Sequence, residues 1–159
     1  MSRGASEELT MSTLATDPQF KVYAICSAIL SLQMLVLGGL TARTRALHKG
    51  YMNPEDGKVS FGDAKLVEGA EHPDVARIQR AHRNLLESLP MFFALGLIHL
   101  LAGASALGGE ICFGVFTGAR VLHSIVYIKA LQPWRTMMFA IGALSLVALI
   151  VQIIIAVVA

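Results

Sequence analysis

The side chains able to do chemistry in this sequence fall into two short runs. Arg77, Arg80, Asn84 and Glu87 recur at spacings of three, four and three, which puts them on one face of a helix. Arg120, His123, Ser124 and Tyr127 form a second helical set, followed by Arg135 and Thr136. Guanidinium groups bind carboxylates and phosphates in a forked, bidentate geometry and stabilise nearby anions. Imidazole, phenol and hydroxyl groups beside them add hydrogen-bond donors and acceptors. Together these residue types suit a site for an anionic ligand.

The elements that position these runs are expected to cross a membrane. Of 159 residues, 55% are apolar and 15% charged, and the mean hydropathy is +0.62. That apolar share exceeds the roughly 45–50% of soluble domains and excludes disordered and collagen-like chains. The length holds one domain. Cys26 and Cys112 sit in apolar runs without Cys-x-x-Cys spacing, so neither a disulfide framework nor a zinc site is expected, and no metal is assigned. A formal charge of +2 gives no reason to expect nucleic acid.

A hydrocarbon core about 30 Å thick needs roughly 20 apolar residues of helix. Four stretches qualify: about 22–42, 74–107 (polar until about 89), 111–131 and 134–159. Backbone groups in lipid must be satisfied internally, so the predicted fold is all-α, an integral membrane four-helix bundle. A polar tail (1–18) precedes a single membrane domain (19–159), whose first connection spans 43–73. Pro90 is expected to kink the second helix. The first run is too long for a signal-peptide core, follows acidic Glu7, Glu8 and Asp17, and lacks a small-x-small cleavage site, so it is expected to stay in the mature chain.

Eight of the 13 Lys and Arg residues lie between Arg43 and Arg83, and Lys129 and Arg135 flank the third connection. The expected second connection, 108–110, has no cation. The positive-inside rule then puts both basic connections in the cytoplasm and both termini outside. Gly50, Asn53-Pro54, Gly57, Gly62, Gly69 and Pro73 are turn and breaker residues that fit an ordered cap or a loose loop equally well.

Arg120 stands near the middle of the third run, where an ionised side chain costs roughly 2.5–3.5 kcal/mol. It needs a partner. With Leu131 level with Ala76, equal steps along both helices put Arg120 level with Glu87, His123 with Asn84, Ser124 with Arg83 and Tyr127 with Arg80. An Arg120–Glu87 ion pair is the economical arrangement, and Arg135 and Thr136 join the layer from the fourth helix. Structural accounts stand beside each residue. Arg77 and Arg80 fit a helix end standing in the cytoplasm, Tyr127 an interfacial belt, Ser124 a packing hydroxyl, His123 a satisfied buried imidazole, and Arg120–Glu87 a register-fixing pair. Gln152 reads as an interhelical hydrogen-bonding residue, and His99 has no evident partner. What those accounts leave over is charge. With Glu87 taken by Arg120, the groups Arg80, Arg83 and Arg135 have no acidic partner in the layer. Unpaired guanidinium groups beside a membrane point to lipid headgroups or an anionic ligand, and a ligand with two carboxylates would use them fully.

Three segments resemble a known family: Asn53-Pro54-Glu55-Asp56, then Arg77-Ile78-Gln79-Arg80-Ala81-His82-Arg83-Asn84-Leu85-Leu86-Glu87, then Arg120-Val121-Leu122-His123-Ser124-Ile125-Val126-Tyr127. In order, spacing and helix placement they are similar to motifs of the MAPEG family of membrane glutathione enzymes over about 43–136, closest to its glutathione transferase and prostaglandin E synthase branches. The resemblance implies a homotrimer with glutathione bound between neighbouring subunits in the cytoplasmic half. It implies glutathione contacts from Arg45, Arg80, Arg83, Asn84, Glu87, His123, Tyr127 and Arg135. Arg135 matches an arginine that stabilises the thiolate, Thr136 a serine near the sulfur, and Asp56 an aspartate assigned a catalytic role. Three positions depart from those branches. Ala76 replaces an acidic residue, the segment 127–135 is one residue shorter, and Phe139 replaces a tyrosine.

The activity implied is conjugation of the glutathione thiolate to lipophilic electrophiles arriving through membrane lipid, with lipid-hydroperoxide peroxidase as a side activity. A glutathione-dependent isomerase of the prostaglandin-endoperoxide type and a non-catalytic lipid-binding scaffold are the other readings. The endoplasmic reticulum or a bacterial inner membrane would house the protein, its site facing the cytoplasm.

Overall fold

Helix starts follow from local chemistry. Asp17 accepts from the Phe20 N–H at 3.0 Å with Pro18 in the first turn, His72 accepts from the Asp74 N–H before Pro73, and Ser105 accepts from the Gly108 N–H at 3.3 Å. The resulting helices are α1 (Pro18–Leu47), α2 (Pro73–Leu101), α3 (Ala106–Ile128) and α4 (Trp134–Val158). Between α1 and α2 a short parallel pair forms from β1 (Gly50–Tyr51) and β2 (Lys65–Leu66), with Gly50 opposite Lys65. This computed structural model describes residues 16–53, 65, 66 and 71–159.

All four helices are long and apolar enough to cross a membrane. Their outer faces carry uncovered apolar side chains such as Leu35, Leu101 and Val158, the surface a bilayer solvates. The inner faces meet around Leu30, Leu85, Phe92, Phe113, Phe116 and Leu149, and the Phe92 and Phe116 rings stack with centroids 4.7 Å apart. Tyr23 of α1 reaches across Gly96 to donate to the Phe93 carbonyl at 2.8 Å. A Cβ at Gly96 would collide with the Tyr23 ring, so this crossing requires glycine. The assigned α2 runs through Pro90 without interruption.

The second connection differs from the expected one. It lies at 102–105, not 108–110, because Gly103 adopts a left-handed φ of 62° and closes α2 with bonds from Gly103 N–H to Leu100 O and from Ala104 N–H to His99 O. Gly108 and Gly109 instead sit inside α3 and make room. A Cβ on Gly108 would meet Gln152, and one on Gly109 would meet Gln19 and His99. These side chains form a buried polar chain that joins all four helices: Gln19 Nε2 to His99 Nδ1 at 3.0 Å, His99 Nε2 to Gln152 Oε1 at 3.1 Å, and Gln152 Nε2 to Cys112 Sγ at 3.4 Å. His99, partnerless in the sequence, is fully buried between two amides. At the other end of the bundle, Ala130 at φ 57° closes α3, and its N–H and that of Leu131 bond back to Tyr127 and Val126.

Candidate functional site

A cleft of about 320 Å³ opens between α2, α3 and α4, with Asn84, Glu87, Arg120 and Phe139 toward one end and Met91, Leu146 and Ile150 toward the other. Arg120 is only 3% exposed. Its Nη1 donates to Asn84 Oδ1 at 3.0 Å, and its Cζ lies 5.3 and 5.2 Å from the Phe116 and Phe139 ring centroids. Gly142 makes room for it, since a Cβ there would stand 3.2 Å from Nε. That Nε is buried and has no hydrogen-bond partner among the described residues. The Arg120 carbonyl and the Ser124 hydroxyl accept from Gln33 Nε2 at 3.0 and 2.7 Å, which locks α1 to α3 at this depth. Sequence reasoning missed Gln33, whose polarity inside the first apolar run was the available signal.

The expected Arg120–Glu87 ion pair does not form among the described residues. Helical phase is the reason. The buried stripe of α2 runs through Leu85, Ser88 and Leu89. Asn84 flanks that stripe, half-buried, whereas Glu87 is turned about 60° further from it and stays exposed. The long arginine side chain therefore meets the amide that faces it. Level counting assigned Asn84 to His123 because it tracked height and ignored rotation.

A second group forms where α3 turns into α4. His123 is buried, and its ring meets Tyr127 edge-on at 5.5 Å and Phe139 at 6.1 Å. The Arg135 guanidinium lies 4.8 Å from the Tyr127 centroid. With its amide oxygen turned toward that guanidinium, Gln132 accepts from Arg135 Nε at 3.1 Å and donates to Thr136 at 3.3 Å. Arg135 is half-buried and Thr136 exposed.

Other predicted residues stand apart. Arg80 and Arg83 are exposed on α2, with no hydrogen bond or ion pair among the described residues. Arg45 stands in the last turn of α1, where it bonds Glu71 at 2.6 Å. This ion pair lines a separate cleft of about 490 Å³ with His48, Gly50, His72, Pro73 and Val75. Asp56 lies outside the described residues, as do Pro54 and Glu55.

Arg120 is thus gathered with Asn84, and His123 with Tyr127 and Arg135, along one side of a bundle able to span a membrane. Two comparisons identify the class of protein. Residues 23–155 match the MAPEG family, and the chain belongs to it. Microsomal glutathione S-transferase 1 of Homo sapiens is 33% identical over 135 residues, 83% of this chain and 86% of that protein. The Rattus norvegicus form is 35% identical over 119 residues, 73% and 76% of the two chains. Prostaglandin E synthase of Bos taurus is 31% identical over 133 residues, 83% of this chain and 85% of the synthase. The four apolar helices and the family membership together describe a multi-pass membrane protein.

Proposed function

We propose that this protein is a glutathione-dependent membrane transferase that joins the glutathione thiolate to lipophilic electrophiles, with lipid-hydroperoxide peroxidase as a side activity. One observation carries the reading. Arg80 and Arg83 have no acidic partner among the described residues, and Arg120 is buried on a neutral amide with Nε unpaired. Such a surplus of forked donors fits a ligand with two carboxylates.

Glutathione supplies the sulfur nucleophile, a cysteine-type thiol of pKa about 8.5. Arg80, Arg83 and Asn84 bind its carboxylates in this reading, Glu87 faces its ammonium group, and His123 and Tyr127 bound the pocket on α3. Keeping the thiol ionised at neutral pH takes one to two pKa units, about 1.4–2.7 kcal/mol. Arg135, held against Tyr127 and Gln132, supplies the cation, and the exposed Thr136 hydroxyl supplies a donor. Asp56 is assigned a catalytic role in the same reading.

The outward direction of Arg80, Arg83 and Glu87, and the separate position of Arg45, favour a site completed by a neighbouring subunit. A homotrimer is therefore proposed, and mass measurement in detergent tests it. The basic connections favour a cytoplasmic site, in the endoplasmic reticulum or a bacterial inner membrane. Similarity to prostaglandin E synthase supports a second reading, isomerisation of an endoperoxide with glutathione regenerated.

Purified protein is to be supplied with reduced glutathione and, in turn, an aryl halide, a lipid hydroperoxide and a prostaglandin-type endoperoxide. Stoichiometric loss of thiol with the aryl halide is the expected result, whereas endoperoxide turnover without thiol loss selects the isomerase. Calorimetry showing no binding of millimolar glutathione overturns both.

A further inference from the structure

We propose that His48, His72 and Asp74 form a binding site for a divalent transition cation of the zinc class, which braces the end of α1 against the start of α2. The three residues come from different local contexts. His48 caps the C-terminus of α1, His72 caps the N-terminus of α2, and Asp74 lies in the first turn of α2. Folding brings together histidines 24 positions apart in the chain, and their rings stack with centroids 3.4 Å apart at 17°.

The donor atoms already lie close together. His48 Nε2 and His72 Nδ1 each lie 3.7 Å from the same carboxylate oxygen, Asp74 Oδ2, and all three donors fall within 4.8 Å of one another. Around a tetrahedral cation with bonds of about 2.0–2.2 Å, ligand atoms stand roughly 3.3–3.5 Å apart. Closing the site takes a few tenths of an ångström on the carboxylate side and a rotation of the stacked imidazoles that turns both ring nitrogens toward one point.

Two further features prepare the ligands. The backbone N–H of Asp74 donates to His72 Nδ1 at 3.3 Å, so that nitrogen is unprotonated, and a bound cation takes the place of this cap bond. Arg77 sits 3.8 Å from the other carboxylate oxygen, Oδ1, which orients the group and leaves Oδ2 to the histidines. Two imidazoles with one carboxylate suit zinc, nickel or copper, whereas magnesium and calcium prefer oxygen donors throughout. All three residues are exposed, so water completes the coordination. The site opens on the cleft that contains the Arg45–Glu71 pair. None of this depends on glutathione binding.

The test uses full-length protein without a histidine tag, in detergent, stripped with a chelator and free of glutathione. Cobalt(II) is titrated as a spectroscopic probe, with zinc as competitor. The expected result is a visible absorption band that saturates at one cobalt per chain in the micromolar range and is displaced by zinc. His48→Ala and His72→Asn should each weaken binding by more than the roughly 10–100-fold typical of an outer-shell change, with asparagine preserving the helix cap. Asp74→Asn gives a third removal of nearly unchanged shape, and melting of the metal-free variants checks that they fold. Zinc should raise the melting midpoint of the unaltered protein more than that of the variants. Absence of a band at millimolar cobalt overturns the proposal, as does equal affinity in the folded variants.

Discussion

Arg120 of α3 donates to Asn84 of α2 at 3.0 Å, and Glu87, almost one turn further along α2, stays exposed without an ion-pair partner among the described residues. A neutral amide therefore holds the buried charge. Because the amide cannot cancel the guanidinium, the charge of Arg120 stays uncompensated on this side of the bundle.

Stability should follow that contact and not the charge pair. Asn84→Leu removes the acceptor of a buried guanidinium and should cost about 1.5–3 kcal/mol. Glu87→Gln should stay within about 0.5 kcal/mol, as for an exposed side chain without partners. Thermal melting in detergent, without glutathione, compares the two. Equal losses would restore the ion pair.

Arg135→Ala tests the proposed thiolate cation. Turnover with an aryl halide should fall about 10²–10³-fold, as when one stabiliser of developing charge is lost. Glutathione affinity from calorimetry should be largely kept, the pattern of an interaction strongest in the reacting state. A variant that conjugates at the normal rate removes Arg135 from the mechanism.

Arg80→Gln and Arg83→Gln should show the opposite split. Each deletes a charge-assisted bond to a carboxylate and should weaken glutathione binding by about 1.5–3 kcal/mol, roughly 10- to 150-fold. Turnover at saturating glutathione should change far less. Calorimetry and saturation kinetics on the same preparations separate affinity from rate.

His99→Leu probes the opposite end of the bundle. The ring bridges Gln19 and Gln152, and its loss leaves the Gln19 amide nitrogen and the Gln152 amide oxygen without that partner. A destabilisation of about 2–4 kcal/mol is expected. Glutathione affinity should not change, because the network lies beside the 102–105 connection, away from Arg135. A large loss of affinity in a folded variant would show that the two ends are coupled.

Several sequence expectations failed for a common reason. Gly108-Gly109 reads as a break, yet those glycines lie within α3 to admit Gln152, Gln19 and His99, while the single Gly103 makes the turn. A glycine's role depends on what approaches it. His99 looked partnerless because its partners stand on α1 and α4. Equal-step counting brought Arg120 to Glu87 because it measured height along α2 without the rotation that turns Glu87 outward.

Four runs long enough to cross a bilayer, and a layer of arginines rich enough to want an anion, could be read from the chain alone. Hydropathy and helical spacing are local quantities, written within about 20 residues. Side-chain pairing depends on how far each helix is rotated and shifted against its neighbours. That depends on non-local packing such as Tyr23 over Gly96 and Gln33 across Ser124. Only the folded bundle could therefore assign Asn84 to Arg120, Gln152 to His99, and His48 to His72.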